Sequence, residues 1–202
     1  MKTVLHIISS IHGDGGQSSR LASEFVAQFP QARVIRRDLG SAPPPHLDAG
    51  RFGAFLARPE SRTPDQRRVV AESDALIAEL QAADTIVLGL PMYNFGVPSQ
   101  LKAYFDHVAR AGVTFKYTEK GPVGLLAGRK AYVFAARGGL YRGTPRDTQT
   151  PYVRDFLAFL GIEHVQFVYA EGLAIGEAQK SQAIARARDV LRALAQPETI
   201  AA

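Results

Sequence analysis

Residues 1–19, MKTVLHIISSIHGDGGQSS, place a short apolar run in front of a loop rich in serine and glycine. The run over residues 4–8 predicts a buried β-strand, and residues 9–19 form the loop that follows it. A helical pattern begins directly beyond this loop, with one face formed by Leu21, Ala22, Phe25, Val26 and Phe29. The order of strand, glycine-rich loop and helix is typical of the first unit of a parallel α/β sheet.

The rest of the chain repeats the alternation of strand and helix. Further strands are predicted at residues 33–36, 85–90, 131–135 and 165–169. Helical patterns lie at residues 69–80, 101–108, 152–160 and 184–194. Strands that are apolar on both faces favour a parallel sheet covered on both sides. We therefore predict one domain over residues 1–202, an α/β fold with a doubly wound, five-stranded parallel sheet in three α/β/α layers, and a loose tail from about residue 197.

Helix starts and long connections add local detail. Thr63-Pro64-Asp65-Gln66 combines an N-cap hydroxyl, an N1 proline and a capping-box glutamine, and Thr150-Pro151 repeats the first two elements, so a helix is predicted to begin at each. The connections over residues 40–62 and 111–129 are longer than is usual in such folds. We expect them to serve function or an interface.

Composition excludes several classes of protein. The 202 residues are 46% hydrophobic, enough for a core, and a disordered chain is therefore excluded. With no cysteine there is no disulfide, zinc-thiolate site, iron–sulfur cluster or cysteine nucleophile, so any redox chemistry requires a bound cofactor. His12, His46 and His107 match no metal-ligand spacing, and we predict no metal site. No signal segment or membrane span is evident, which predicts a soluble, cytoplasmic protein without a membrane partner.

The net charge of +5 raises the question of a nucleic-acid partner. The excess lies in residues 101–150, which hold nine basic and three acidic residues, scattered rather than clustered. Nucleic-acid arms show runs of like charge, so we predict no nucleic-acid binding. The placement favours attraction of small anions such as a nicotinamide diphosphate.

Three loops at the carboxyl ends of strands are candidates for one binding crevice. Residues 9–19 offer hydroxyls, flexible glycines and a helix N-terminus, but no lysine or arginine and no Walker motif, which favours a bound monophosphate. Met92, Tyr93, Asn94 and Phe95 follow the third strand and suit the wall of a flat aromatic ligand. Ala136-Arg137-Gly138-Gly139 follows the fourth strand, where paired glycines allow the main chain to lie against a ring. The carboxyl ends of strands one, three and four surround one crevice in a flavodoxin-like strand order.

A dinucleotide-binding loop is an alternative interpretation of the first loop. Gly13-x-Gly15-x-x-Ser18 approaches the dinucleotide fingerprint, and Asp38 ends the second strand, where a ribose-binding acid lies in such proteins. The third glycine is absent, and the first glycine comes four residues after Ser9.

These segments, in this order, resemble the FMN-dependent NADH azoreductase and quinone reductase family. The resemblance rests on the serine loop ending in GQS (16–18), PMYNF (91–95), GVTFKYTEKGPVGLLAGRKA (112–131), ARGG (136–139), FLGI (159–162) and AEG (170–172). It implies a flavodoxin-like homodimer that holds noncovalent FMN in two sites at the dimer interface. The implied cofactor contacts are Ser10, Gly16, Gln17 and Ser18 at the phosphate, with Met92, Tyr93, Asn94, Phe95, Ala136, Arg137, Gly138 and Gly139 along the ring system.

The resemblance also implies substrate contacts. Phe115 and Tyr117 would lie over the flavin, and Phe159 would reach the partner's pocket. Two positions depart from the family: Ala136 stands where members often carry a hydroxyl, and Tyr141 stands where many carry a histidine. The second departure leaves the substrate range open.

The implied reaction carries two electrons from NADH or NADPH through bound FMN to quinones or aromatic azo compounds in a ping-pong cycle. The protein supplies position and electrostatics, with the Gly138 and Gly139 N–H groups as candidate donors to negative charge. No side chain is assigned as a catalytic acid or base. Two alternatives are a flavodoxin-like electron carrier and a nicotinamide-binding dehydrogenase without flavin.

Overall fold

A computed structural model describes residues 2–195, so the predicted tail from residue 197 lies outside the described residues. The strands are β1 (Thr3–Ile8), β2 (Arg33–Asp38), β3 (Thr85–Pro91), β4 (Phe115–Thr118), β5 (Gly121–Gly124), β6 (Lys130–Ala136) and β7 (His164–Ala170). The α-helices are α1 (Gln17–Val26), α2 (Ala49–Leu56), α3 (Pro64–Ala82), α4 (Ser99–Val108), α5 (Gln149–Phe159) and α6 (Glu177–Ala195). All five strands and five helices predicted from the sequence are present.

The main sheet has the strand order β2-β1-β3-β6-β7, with every neighbouring pair parallel. The chain leaves β1 toward β2 on one side and then returns to place β3 on the other. The order therefore reverses between β1 and β3, and the crevice of an open α/β sheet lies at such a switch point. The predicted doubly wound architecture is confirmed.

Two apolar layers hold the helices against the sheet. Leu5 and Ile7 of β1 face the layer that contains α3, α4 and α5, whereas Val4 faces the layer that contains α1 and α6. This alternation follows from the two-residue period of a strand, and both faces are buried as expected for a parallel sheet. In the second layer, α1 approaches β3 closely, because a Cβ at Gly89 would lie only 3.2 Å from the Ser18 carbonyl carbon. Glycine in β3 thus sets the position of the α1 N-terminus.

The two long connections are folded. Residues 40–62 contain α2, which begins after Asp48, whose carboxylate accepts a hydrogen bond from the Arg51 N–H at 2.7 Å. Residues 111–129 contain the antiparallel β4-β5 hairpin. The hairpin rests on the turn between α5 and β7, where the backbones of Gly124 and Gly161 are too close for any side chain at Gly124.

The two predicted helix starts have different outcomes. Thr63 and Gln66 form the full capping box of α3, with hydrogen bonds of 3.2 and 3.0 Å. The predicted start at Thr150 is wrong, because α5 begins at Gln149 and Thr150 lies inside its first turn. The Asp147 carboxylate accepts hydrogen bonds from both the N–H and the hydroxyl of Thr150. Asp147 thus stabilises the first turn, and Gln149 is already part of the helix.

Candidate functional site

The loop after β1 is shaped by glycine at its centre. Gly16 precedes α1, and a Cβ at this position would overlap the Ser10 hydroxyl and lie 2.8 Å from the Ser10 Cβ. Ser10 is 1% exposed, and its Oγ accepts a hydrogen bond from the His12 N–H at 3.1 Å. Gly16 therefore permits a close approach between the loop and the α1 N-terminus that no other residue allows.

The first turn of α1 carries hydroxyls that suit an anion. Within residues 2–195, the Oγ atoms of Ser18 and Ser19 are buried and have no hydrogen-bond partner. They lie on the same turn as the first N–H groups of α1, which have no carbonyl partner within the helix. The loop contains no side-chain cation. This donor set fits a phosphate monoester, so the residues fit the FMN phosphate. Ser19 was not among the predicted site residues, although its Oγ is as buried and unpartnered within residues 2–195 as that of Ser18.

Tyr93 connects this loop to the one after β3. Its hydroxyl lies 3.3 Å from the Ser10 Oγ and accepts a hydrogen bond from the Ile11 N–H at 3.3 Å. The predicted convergence of these two loops is therefore present in the structure. The Tyr93 ring is half-buried between them.

Residues 93–96 form a tight turn with an uncommon backbone. Tyr93 and Gly96 exchange backbone hydrogen bonds of 3.2 and 2.9 Å, and the two central residues have positive φ angles, 50° at Asn94 and 62° at Phe95. Two positive φ angles define a type I′ turn, in which asparagine is common and phenylalanine is strained. Such strain is found where the surrounding structure holds a functional loop in place. Asn94 and Phe95 are both exposed.

This turn leads to a prediction for Asn94. Replacing Asn94 with alanine is expected to weaken FMN binding about tenfold, because one amide hydrogen bond is lost and alanine tolerates positive φ poorly. Asn94→Gly is expected to lose only the amide hydrogen bond to FMN, because glycine adopts positive φ angles freely. The dissociation constants of both variants follow from quenching of flavin fluorescence. Wild-type affinity in both would show that Asn94 does not contact FMN.

The loop after β6 offers backbone donors rather than side chains. Within residues 2–195, the N–H groups of Gly138 and Gly139 donate to no protein acceptor, while their carbonyls accept from Ala174 and Gly172 at 3.0 Å each. The free N–H groups are consistent with the predicted role as donors to negative charge. Ala136 is buried, and its carbonyl accepts a hydrogen bond from Met92 at 3.1 Å, which joins this loop to the β3 loop.

Arg137 does not present its side chain to the crevice. The guanidinium is buried and donates to Asp147 at 2.7 Å and to Glu171 at 3.1 Å, and its backbone N–H and carbonyl bond to Ala170 and Leu173. Burial alone would raise the pKa of the Asp147 carboxyl, but hydrogen bonds from Arg137 and Thr150 outweigh burial and hold that pKa below its usual value. Arg137 is an internal anchor, and its charge is not available to attract an anion.

The predicted substrate contacts lie at different depths. Tyr141 stands with its ring over Gly139 and packs edge-on against Phe95, with ring centroids 5.6 Å apart. Tyr117 on the β4-β5 hairpin is 74% exposed, whereas Phe115 is buried against Phe159 at a centroid distance of 4.3 Å. Phe159 thus packs within its own chain.

Within the described residues, neither Asp38 nor the histidines are placed as a dinucleotide-binding loop or a metal site would require. The Asp38 carboxylate accepts hydrogen bonds from the Gly40 and Ser41 N–H groups and from Arg36, so it closes its own turn. His12 and His46 are exposed, and the Nδ1 of buried His107 bonds to the Ala103 carbonyl within α4. Among the described residues, no group of acidic, histidine or cysteine side chains is arranged to hold a metal, and no helix is long and apolar enough to cross a membrane.

Comparison with known proteins agrees with this geometry. A family model described as a flavodoxin-like fold matches residues 2–195. The chain belongs to this flavodoxin-like family. Within the family, it is 57% identical over 192 residues to the FMN-dependent NADH:quinone oxidoreductase of Cellvibrio japonicus (strain Ueda107), covering 93% of this chain and 96% of that relative.

Two solved structures align along nearly the whole chain. An azoreductase from Bacillus anthracis str. Sterne superposes with a TM-score of 0.88 at 26% identity, covering 96% of this chain and 99% of that one. An FMN-dependent NADH-azoreductase from Bacillus anthracis str. Ames Ancestor, solved in complex with FMN, gives a TM-score of 0.83 at 28% identity, with 97% and 100% covered. The predicted resemblance is confirmed.

Proposed function

We propose that the chain is an FMN-dependent oxidoreductase that passes two electrons from NADH or NADPH to quinones and aromatic azo compounds. The observation that carries the proposal is that the three loops meet at the β1/β3 switch point. There the first loop and the start of α1 offer hydroxyl and N–H donors for a phosphate without a side-chain cation. The FMN dependence of close relatives and the FMN bound in a structural neighbour support it.

The chain's own residues bind and orient the reactants. Ser10, the Gly16–Ser18 segment and Ser19 hold the phosphate, and the residue 92–95 turn lies along the ring system. The free N–H groups of Gly138 and Gly139 provide preorganised donors where negative charge develops. Bound FMN supplies two-electron transfer between a nicotinamide and an acceptor in a ping-pong order. The protein side chains provide no acid or base in this proposal.

The mouth of the crevice shapes the acceptor site. Phe95 and Tyr141 form an aromatic wall, and Tyr117 extends from the hairpin into solvent. Flat aromatic acceptors, which quinones and azo compounds share, suit stacking on such side chains.

A homodimer completes the site in this proposal. Several large apolar side chains are exposed on α2 and the hairpin region: Phe52, Leu56, Tyr117, Val123 and Leu125. We take these side chains as candidate interface residues, because exposed apolar patches occur at protein interfaces. We place two sites at the dimer interface, and we place the reaction in the cytoplasm, where NADH is the reductant.

The cofactor assignment is tested on the purified protein. The protein is expected to be yellow and to release FMN, identified by chromatography, when it is denatured by heat. A dehydrogenase without flavin would be colourless and would not bind added FMN. A flavodoxin-like carrier would be yellow, but it would oxidise NADH only with a protein partner.

A further inference from the structure

Gln149 is a buried glutamine that joins two loops of the candidate flavin site. It is 0% exposed and lies at the first position of α5. Its Nε2 donates to the Pro91 carbonyl at 2.8 Å and to the Gly96 carbonyl at 2.9 Å. Its Oε1 accepts a hydrogen bond from the Arg137 Nε at 3.3 Å. One side chain thus connects the β3 loop to the β6 loop.

The chemistry of these partners permits only one orientation of the carboxamide. Backbone carbonyls accept and never donate, whereas a guanidinium donates and never accepts. The nitrogen of Gln149 must therefore face Pro91 and Gly96, and the oxygen must face Arg137. Glutamate has the same size but no N–H donor, and leucine has neither donor nor acceptor.

At one end, Gln149 supports the strained turn. The Gly96 carbonyl that it binds also accepts the Tyr93 N–H, the bond that closes the turn around the left-handed Asn94 and Phe95. The neighbouring Thr148 hydroxyl donates to the Phe95 carbonyl. Strained backbone persists only where surrounding contacts over-determine it. The start of α5 supplies three such contacts to the residue 91–96 segment.

At its other end, the Gln149 side chain contacts the buried guanidinium of Arg137. Arg137 is fixed by Asp147 and Glu171, and the same Glu171 oxygen accepts the N–H groups of Tyr141 at 3.0 Å and Arg142 at 2.9 Å. A continuous chain of hydrogen bonds therefore runs from the Gly96 carbonyl through Gln149 and Arg137 to the turn after Gly138 and Gly139. Fully satisfied buried networks of this kind rigidify the groups that they join.

We propose that Gln149 is a positioning residue that holds the residue 93–96 turn and the Gly138-Gly139 backbone at a fixed spacing for the flavin ring. The inference rests on the proposed function and extends it to a residue outside the crevice. Gln149 acts through the carbonyls of Pro91 and Gly96 and through Arg137, and its side chain does not face the crevice. The spacing between the two loops is thus set before a ligand binds.

The test compares Gln149→Leu and Gln149→Glu with Ser73→Ala. Ser73 is a matched control, because its buried hydroxyl also bridges a backbone carbonyl, that of His107 at 2.6 Å, and an arginine, Arg110 at 3.1 Å, in the α3/α4 region. Both Gln149 variants are expected to raise the FMN dissociation constant about tenfold, equivalent to about 1.4 kcal/mol, and to change the visible circular dichroism of bound FMN. Ser73→Ala is expected to lower the melting temperature and leave both flavin readouts unchanged.

The outcomes separate this inference from the proposed function. A wild-type protein that binds no FMN would overturn the proposed function and this inference with it. Wild-type FMN binding with the same affinity and flavin dichroism in both Gln149 variants would overturn the inference alone. Should Gln149→Leu fail to fold, Gln149→Glu decides, since it keeps the side-chain volume and the acceptor for Arg137 but removes both donated hydrogen bonds.

Discussion

Replacement of Arg137 by methionine is expected to lower the free energy of unfolding by about 3–5 kcal/mol. Arg137 is 1% exposed and pairs with Asp147 and Glu171, whose side chains are 8% and 13% exposed. Methionine fills most of the space but leaves both carboxylates buried without a cation. Denaturant unfolding at neutral pH measures the loss.

The same substitution changes the pH dependence of stability. In the wild type the folded-state pKa of Asp147 is lowered, so its contribution is present above the unfolded-state pKa and is lost as pH falls through the folded one. Without Arg137, burial favours the protonated carboxyl and removes this contribution. The stability difference between the two proteins is therefore expected to narrow as pH falls below about 4, through the folded-state pKa of Asp147 in the wild type.

An exposed ion pair provides the control. Arg188 pairs with Glu24 at 2.7 Å, but both side chains are substantially exposed. Arg188→Met is expected to cost about 0–1 kcal/mol, as is typical of surface pairs. An equally small loss for Arg137→Met, with no change in pH dependence, would contradict the anchoring role of Arg137.

Replacement of Gly16 by alanine is expected to weaken FMN binding about 100-fold, since charge-assisted hydrogen bonds contribute about 1.5–3 kcal/mol. The new methyl group overlaps the Ser10 hydroxyl, so Ser10 must move away from the loop and from Tyr93. The backbone angles of Gly16, φ −69° and ψ 142°, suit any residue, so the effect is steric and local. Equilibrium titration with FMN measures it.

Gly15→Ala is the matched control for this prediction. It lies in the same loop, but the nearest atom to its new Cβ is the His12 Cβ at 4.0 Å, an ordinary contact. FMN affinity close to the wild type is expected. If the two alanine variants bound FMN equally, the loop would not be the phosphate site.

Local patterns in the sequence predicted most of the sheet. Most strands of the main sheet are short apolar runs, so their pattern was sufficient to locate them, whereas β4 and β5 of the hairpin were not predicted. The α3 capping box lies within four consecutive residues, Thr63 to Gln66, and its geometry follows from the sequence alone. The convergence of the three loops followed from the rule for parallel sheets, which does not require knowledge of side-chain contacts.

Contacts between distant residues were not predictable in this way. The buried ion pairs of Arg137 were not predicted, because no local signal shows that Glu171, 34 residues later, accepts a hydrogen bond from its guanidinium. The role of Gln149 depends on Gly96, 53 residues earlier. Thr150 resembled an N-cap, but the Asp147 carboxylate accepted both of its hydrogen-bond donors and the helix began one residue before it.

Oxidation of NADH by the purified protein with FMN and a benzoquinone, followed at 340 nm, is the direct assay of the proposed oxidoreductase activity. NADH loss is expected to require both FMN and the quinone and to need no second protein. Parallel lines in double-reciprocal plots would support the ping-pong order. NADH that remains unoxidised with FMN and benzoquinone present, in a protein shown to be folded, would contradict the account.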